Sequence, residues 1–229
     1  MNKYLADNFS DKLIPTDIPL QYYDFGRYVT KERMLTFWYQ LKEVLSKKPG
    51  NLLEIGIGSK IVSGVIRELG IDLTTVDINP TLKLDYVVAV QNLSDKFKPA
   101  SFDLILCARV LHHIPFSDFE IAIRQMAEIT KKYVILTLPT DDLRLYFSMR
   151  ITSRRSIIYS LKLPLFIKRV TLRLLRKDKT YYSKLWKIDA SKDYSLSKIK
   201  KVIENYFIIE KSYPVPEDRS HFIFVLMKR

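Results

Sequence analysis

Two glycines in the sequence are spaced as they are in loops that hold a nucleotide-like ligand. Gly56 and Gly58 follow a short apolar run, 52–55, and precede apolar residues at helical spacing. This order predicts a buried strand, a tight loop and a helix. In such a unit the glycines let the backbone approach a ligand, and the free amide groups at the start of the helix favour negative charge. A tight turn alone would also explain both glycines.

A carboxylate stands at the end of the next predicted strand. Asp77 follows the run 73–76 and lies about 20 residues beyond the loop, where an acid can accept hydrogen bonds from both hydroxyl groups of a ribose. Nicotinamide and adenosyl cofactors share this chemistry. The dinucleotide fingerprint requires a third glycine where this chain has Ile61, so an NAD-binding oxidoreductase is the weaker alternative.

Strands and helices that could position these residues alternate along the chain. Further strands are predicted over 86–90, 102–108, 133–138, 206–212 and 222–227, and helices over 31–47, 59–69, 118–129 and 195–205. Alternation favours an α/β fold with a parallel sheet, which binds ligands beyond the carboxyl ends of its strands. The last two strands are predicted to pair, so that the final strand runs antiparallel to the others.

The length of 229 residues predicts one domain with an insertion. We divide it into an N-terminal lead-in and helix (1–48), a cofactor-binding core (49–140), a basic insertion or cap (141–190) and a C-terminal helix with a strand pair (191–229). The insertion is predicted to be helical and broken at Pro164.

Three stretches carry a resemblance to a known family. The sequence LEIGIG at 53–58 resembles the first motif of class I S-adenosylmethionine-dependent methyltransferases, with an acid two residues before the first glycine. TVDI at 75–78 looks like the acidic ribose-binding loop of that family, and 101–115 resembles the fourth-strand region of its small-molecule, methyltransferase type 11-like branch. The resemblance covers about residues 30–140 and implies a Rossmann-like, three-layer sandwich with S-adenosyl-L-methionine as cofactor.

The resemblance also implies roles for individual residues. Glu54 would orient the loop and the amino group of the cofactor, Asp77 would bind the ribose, and Ile78 would pack on the adenine. The full set of implied cofactor contacts is Glu54, Ile55, Gly56, Gly58, Asp77, Ile78, Val90, Gln91, Ala108 and Arg109. The chain departs from the family pattern at Lys60, where a third glycine is frequent, and at Ala89, where many members have an acid near the adenine.

Two histidines just past the fourth predicted strand are the candidate catalytic residues. His113 or His112 could take a proton from an acceptor hydroxyl or amine, because an imidazole is near neutrality by default. Positioning alone can also support methyl transfer, and the histidines would then be structural. The single cysteine, Cys107, excludes a disulfide framework and a Cys-rich metal site, so no metal is predicted.

The net charge of +13 is concentrated in one stretch. Residues 144–179 contain one acid, Asp178, and eleven basic residues: Arg144, Arg150, Arg154, Arg155, Lys162, Lys168, Arg169, Arg173, Arg176, Lys177 and Lys179. Within it, 165–177 has the composition of an amphipathic helix that suits anionic lipid headgroups or a phosphorylated acceptor. A solvated cap is the alternative.

The expected function is methyl transfer to an oxygen or nitrogen atom of a small-molecule or of a lipid-linked or nucleotide-linked acceptor. An RNA methyltransferase and a non-catalytic cofactor-binding homologue are the other readings, and nucleic acid is the less favoured partner because no base-methylation motif follows the fourth strand. A single cysteine suits a reducing compartment, and the chain shows no signal peptide and no run of about 18 apolar residues, so we expect a cytoplasmic protein. The basic stretch 144–179 predicts peripheral contact with an anionic membrane. The sequence makes no prediction of oligomeric state.

Overall fold

The computed structural model of the protein describes residues 23, 25–141, 144–152, 155–162, 186–216 and 220–229. Its helices are α1 (Phe25–Tyr28), α2 (Lys31–Ser46), α3 (Ile61–Glu68), α4 (Phe119–Ile129) and α5 (Leu196–Glu204). Its strands are β1 (Asn51–Ile55), β2 (Asp72–Asp77), β3 (Tyr86–Val87), β4 (Phe102–Ala108), β5 (Thr130–Pro139), β6 (Arg144–Thr152), β7 (Arg155–Lys162), β8 (Phe207–Pro214) and β9 (His221–Lys228).

The described strands other than β6 and β7 form one sheet of seven, in the order β3-β2-β1-β4-β5-β9-β8. β1 pairs in parallel with β2 and with β4, and β5 pairs in parallel with β4. β9 runs antiparallel to β5. This arrangement confirms the Rossmann-like fold with an antiparallel last strand.

Helices cover both faces of the sheet and give the three layers. On one face, α4 and α5 bury residues such as Met126 and Ile203 against the centre of the sheet. On the other face, α2 and α3 bury Val44 and Ile66 against the opposite side of β1, β4 and β5. The strands β1, β4 and β5 therefore bury apolar side chains on both faces of the sheet, and this apolar pattern is what predicted them from the sequence.

Two predicted helix starts are confirmed by their caps. The side chain of Thr30 accepts a hydrogen bond of 3.3 Å from the backbone N–H of Arg33 at the start of α2. The side chain of Ser195 accepts one of 3.4 Å from Lys198 at the start of α5. These hydroxyl groups satisfy amide groups that have no partner within the helix.

The third predicted strand is shorter than expected. Only Tyr86 and Val87 pair with β2, and a 3₁₀ segment occupies Val90–Asp95. Val90 and Leu93 are buried in this segment because its turn carries both side chains into the core. An apolar run of 86–90 could not distinguish this turn from a strand.

The helical prediction for the insertion is wrong over its described part. β6 and β7 form an antiparallel hairpin, a separate two-stranded sheet. Apolar residues recur there at every second position, at Phe147, Met149 and Ile151, which is the period of a strand rather than of a helix. The predicted amphipathic segment 165–177 and the break at Pro164 lie outside the described residues.

The insertion leaves and rejoins the main sheet at one point. At the carboxyl end of β5, Thr140 forms a parallel bridge with Ile188, and the N–H of Asp141 donates to the carbonyl of Ile188 at 2.9 Å. The indole of Trp186, which is buried, donates a hydrogen bond of 3.0 Å to the carbonyl of Ile114. The excursion is thus anchored at the end of the sheet where the predicted ligand residues lie.

Among the described helices, none combines the length and apolar character that crossing a membrane requires.

Candidate active site

The loop after β1 requires glycine at two positions. Gly56 has a φ of +80°, and a Cβ atom there would lie 2.2 Å from the Cγ2 atom of Val110. Gly58 has a φ of +45°, and a Cβ atom there would lie 3.3 Å from the Cε1 atom of Tyr23 and 3.5 Å from the hydroxyl oxygen of Tyr28. A side chain at either position would therefore strain the backbone, and one at Gly56 would also collide with Val110.

Lys60 continues this loop in a left-handed conformation, with a φ of 62°. It is the residue that precedes α3, and its backbone N–H donates to the carbonyl of Ile57 at 2.9 Å. Glycine adopts this conformation without a steric cost, whereas lysine does not. The left-handed backbone at Lys60 explains why a glycine would suit this position.

Glu54 lies at the carboxyl end of β1 and is almost completely buried. The hydroxyl group of Ser63, on α3, donates a hydrogen bond of 2.5 Å to its Oε2 atom. Burial raises the pKa of Glu54 to about 7, although the Ser63 hydrogen bond and the charge of Arg67 favour the ionised form. The loop is thus backed by a carboxyl group that titrates near neutrality.

Asp77 ends β2 and points its carboxylate to the glycine loop. Its Oδ1 atom accepts a hydrogen bond of 3.0 Å from the backbone N–H of Asn79. Burial raises the pKa of Asp77, while hydrogen bonds from the backbone of Asn79, Ile78 and Ile57 favour the charged form. Because Ile57 lies between the two glycines, Asp77 and the loop form one unit. Ile78 is half-buried beside it.

The end of β4 lies on the other side of the loop. Ile55 pairs with Val76 of β2 and with Cys107 of β4. The next residue of each strand, namely Gly56, Asp77 and Ala108, therefore lies at the same edge of the sheet. Arg109 has a φ of 63°, and its backbone N–H donates to the carbonyl of Thr137 at 2.9 Å. The structure therefore brings together Glu54, Gly56, Gly58, Asp77, Ala108 and Arg109 at one edge of the sheet.

Other predicted contacts have different surroundings. The side chains of Ile55 and Val90 belong to the hydrophobic core, so only their backbone could face a ligand. The side-chain amide of Gln91 donates a hydrogen bond of 3.2 Å to the Oδ2 atom of Asp118. Gln91 thus links the 3₁₀ segment to the start of α4. For these residues and for the whole predicted set, a role in binding stays a prediction.

The two candidate histidines lie in the 3₁₀ turn Leu111–His113 that follows β4. His112 is buried and His113 is half-buried, and their ring centroids are 3.9 Å apart. Burial raises the pKa of Cys107, which lies inside β4, and keeps that thiol in its neutral form.

Two tyrosines over the glycine loop were missed by the sequence analysis. The rings of Tyr23 and Tyr28 contact each other edge to face, with centroids 4.9 Å apart, and both face Gly58. The guanidinium carbon of Arg33 lies 3.6 Å from the centroid of the Tyr28 ring, and that of Arg109 lies 5.8 Å from it. Their aromatic character was visible in the sequence, but no pattern there indicated contact with a loop 30 residues further along.

These residues fit an adenosyl cofactor. The loop offers its backbone at positions where a Cβ atom would intrude, Asp77 offers a carboxylate to a ribose, and the Arg109 and Arg33 cations flank Tyr28 above the loop. Within the described residues, no three His, Cys, Asp or Glu side chains are grouped so as to hold a metal ion. Fold and site together define a class I S-adenosylmethionine-dependent methyltransferase.

Comparison with known proteins shows the family. A family model described as a methyltransferase domain matches residues 30–178, and the chain belongs to this family. No curated protein sequence matches the chain.

Solved structures of methyltransferases share the fold. The N-methyltransferase NodS from Bradyrhizobium japonicum WM9, solved with S-adenosyl-L-homocysteine, has a TM-score of 0.52 at 12% identity, over 87% of this chain and 89% of NodS. The magnesium protoporphyrin IX methyltransferase of Synechocystis PCC 6803 has a TM-score of 0.55 at 14% identity, over 90% and 88%. At such identities the likeness concerns the fold alone.

Proposed function

We propose that the protein transfers the methyl group of S-adenosylmethionine to an oxygen or nitrogen atom of an acceptor that carries negative charge, such as a lipid-linked or nucleotide-linked sugar. The observation that carries this proposal is the position of Arg109. It follows β4 directly, it is held in a left-handed conformation, and it precedes both candidate histidines. The guanidinium of Arg109 and the imidazoles of His112 and His113 thus follow β4 within five residues, at the end of the sheet where the predicted cofactor residues lie.

The chemistry of the class requires mainly an in-line approach. The cofactor supplies an electrophilic methyl group on a sulfonium. The chain's contribution is to hold the acceptor atom opposite that methyl group and to exclude water. The turn Leu111–His113 is well fixed for this task, because the N–H of His113 donates to the carbonyl of Val110 at 2.9 Å and Leu111 is buried.

An acceptor hydroxyl or ammonium must also lose a proton. Of the two imidazoles, we assign this step to His113, because it is half-buried and reachable, whereas His112 is buried. A ring nitrogen of His113 would accept the proton from a hydroxyl as its oxygen takes the methyl group, or from an ammonium beforehand, because the nitrogen needs its lone pair to attack. S-adenosylhomocysteine would be the leaving group. His112, in contact with the first ring, would keep it oriented.

A negatively charged acceptor is supported by the electrostatics around the site. The basic insertion starts at the carboxyl end of β5, next to the candidate site, and residues 144–179 carry eleven basic residues against one acid. Such a field raises the local concentration of anionic molecules. RNA shares this property, which is why it belongs among the acceptors to be tested.

A screen with methyl-labelled S-adenosylmethionine tests the proposal. The full chain is offered soluble metabolites, nucleotide sugars, extracted glycolipids and RNA, and transfer is measured as label in each acceptor fraction. The matched control is Asp77→Asn, which should lose transfer through weaker cofactor binding. Label in nucleotide sugars or glycolipids supports the proposal, whereas label in RNA alone overturns the acceptor class. Calorimetry that detects binding of NADH but not of S-adenosylmethionine would overturn the cofactor itself.

A further inference from the structure

The hairpin of β6 and β7 exposes a continuous apolar face. Among the hairpin side chains that the structure describes, six are large and apolar, and each is 47% to 61% exposed. They are Phe147, Met149, Ile151, Ile157, Tyr159 and Leu161. Contiguous patches of this kind are rare on soluble proteins and mark surfaces that are covered in use. We call these six residues the apolar face.

The register of the hairpin makes the face continuous. Phe147 lies opposite Tyr159, and Met149 lies opposite Ile157. Directly opposed residues of an antiparallel pair project to the same side and touch, and alternate residues along each strand share that side. With Leu161 near the base and Ile151 near the turn, the face is two strands wide and roughly 20 Å long.

Basic residues occupy both ends of the hairpin in the sequence. The two outermost residues of the hairpin base, Arg144 and Lys162, are paired in register, and β7 begins at the turn with Arg155. The sequence from 144 to 162 contains no Asp or Glu. The hairpin therefore combines an apolar face with a positive charge that no acid of the same segment offsets, which favours a partner that is both apolar and anionic.

We propose that the hairpin docks the enzyme on an anionic lipid surface, with the apolar face inserted between headgroups. Lipid provides both features, since acyl chains can cover the apolar face and anionic headgroups attract the positive charge of the hairpin. An open hairpin has unpaired backbone groups along its outer edges, so it cannot sink into the hydrocarbon. It lies flat in the headgroup region with its apolar side chains directed into the acyl boundary.

Two other partners fit the hairpin less well. A second copy of the chain would bring the basic ends of one hairpin next to those of the other, and like charges in contact are destabilising. RNA would satisfy the cations and could stack on Phe147 and Tyr159. It would, however, leave Met149, Ile151 and the other aliphatic side chains against a polar strand.

Docking of the hairpin would place the candidate active site close to the membrane surface. The insertion is tied to the sheet at Thr140 and Ile188, beyond the carboxyl end of β5. A docked hairpin therefore holds this end of the sheet near the membrane. This inference concerns where the enzyme works, and it holds for a soluble or a lipid-linked acceptor alike.

Vesicle co-sedimentation of the full chain tests the proposal. The vesicles are pure phosphatidylcholine, or phosphatidylcholine with about 30 mol% phosphatidylglycerol, which supplies the anionic surface potential. We expect binding to the anionic vesicles only, weakened at least about tenfold when NaCl rises from about 0.1 M to about 0.5 M. No binding to anionic vesicles, or equal binding to both kinds, would overturn the proposal.

The variant Phe147→Thr/Met149→Thr isolates the apolar face. Threonine keeps strand propensity at these exposed positions, so the variant should fold and bind S-adenosylmethionine as the wild type does. We expect its vesicle partition coefficient to fall by about tenfold or more, because two apolar side chains no longer insert. Leu69→Thr, which alters an equally exposed apolar residue outside the hairpin, should leave the partition coefficient unchanged.

Three results with these variants would overturn the inference. They are unchanged vesicle binding by the double variant, equal loss in Leu69→Thr, and a wild-type dimer that the double variant abolishes while vesicle binding persists. A further outcome is that RNA displaces the wild type from vesicles. If it does so, and if the double variant no longer binds RNA, the apolar face would be assigned to nucleic acid instead. Methyl transfer to a soluble acceptor should be equal in all variants, which separates this test from that of the proposed function.

Discussion

The hydroxyl group of Ser63 on α3 donates a hydrogen bond of 2.5 Å to the buried carboxyl group of Glu54 at the end of β1. The contact joins the two elements that flank the glycine loop. Burial nevertheless raises the pKa of Glu54 to about 7, so the protonation state of this link changes within the physiological range.

Glu54 should make the protein less stable as pH rises. Its pKa rises from 4.5 in the unfolded chain to about 7 in the folded protein. The folded state therefore holds more protons between these values, and the free energy of unfolding falls as pH increases through this window. Above pH 7 the loss reaches about 3 kcal/mol for a group this deeply buried.

Glu54→Gln should remove this pH dependence. We expect the variant to be more stable than the wild type at pH 8, by up to about 3 kcal/mol, and similar to it near pH 5. Urea unfolding at both pH values measures the difference. Asp77, whose pKa is also raised, adds a slope of the same sign in both proteins. Identical pH profiles for variant and wild type would show that folding does not raise the pKa of Glu54.

Asp77→Asn should weaken cofactor binding. The substitution keeps the shape of the side chain but removes the charge that strengthens hydrogen bonds from ribose hydroxyl groups, a loss of about 1.5 to 3 kcal/mol. The Kd for S-adenosylmethionine, measured by calorimetry, should rise about tenfold to a hundredfold. Asp85→Asn is the matched control, because Asp85 accepts hydrogen bonds from Thr75 on the same strand. An equal effect in both variants would assign the loss to strand distortion.

Lys60→Gly should stabilise the protein. Lys60 has a φ of 62°, which costs about 1 to 2 kcal/mol for a residue with a Cβ atom. Glycine removes this cost but is more flexible in the unfolded chain, so we expect a net gain of about 0.5 to 1 kcal/mol. Denaturant unfolding checks the sign. The same change at Lys201, an exposed position inside α5, should instead destabilise by about 1 kcal/mol.

His113→Ala should lower kcat if this imidazole takes the acceptor proton. We expect a loss of about 10²-fold to 10⁴-fold near neutral pH and partial recovery at high pH, where the acceptor loses its proton to solvent. Cofactor affinity should not change. His112→Ala should reduce stability as well, since His112 is buried. Turnover by His113→Ala that equals the wild type at both neutral and high pH would exclude the general base and leave positioning as the mechanism.

The local sequence pattern was sufficient to predict the strands, the loop and the helix that carry the candidate cofactor site. An apolar run, two glycines and a helical stripe predicted β1, the loop and α3, and Asp77 was expected at the end of β2. These elements are encoded by short-range preferences, namely burial on both faces of a strand and the backbone freedom of glycine. The same reasoning failed at 86–90 and at 144–162. A short apolar run suits strand and turn alike, and the abundant leucine and arginine of the insertion suggested a helix although the alternation of Phe147, Met149 and Ile151 favoured a strand.

The sequence by itself determined the class of fold and the positions of the predicted cofactor residues at the strand ends, because both follow from the order of strands, glycines and acids along the chain. Only the tertiary structure decided what surrounds them. Tyr28 lies over Gly58, Ser63 binds Glu54, and Ile188 returns the chain to Thr140 across the whole insertion. Such contacts depend on how separate elements pack, and neither residue of a pair carries a local signal that identifies its partner.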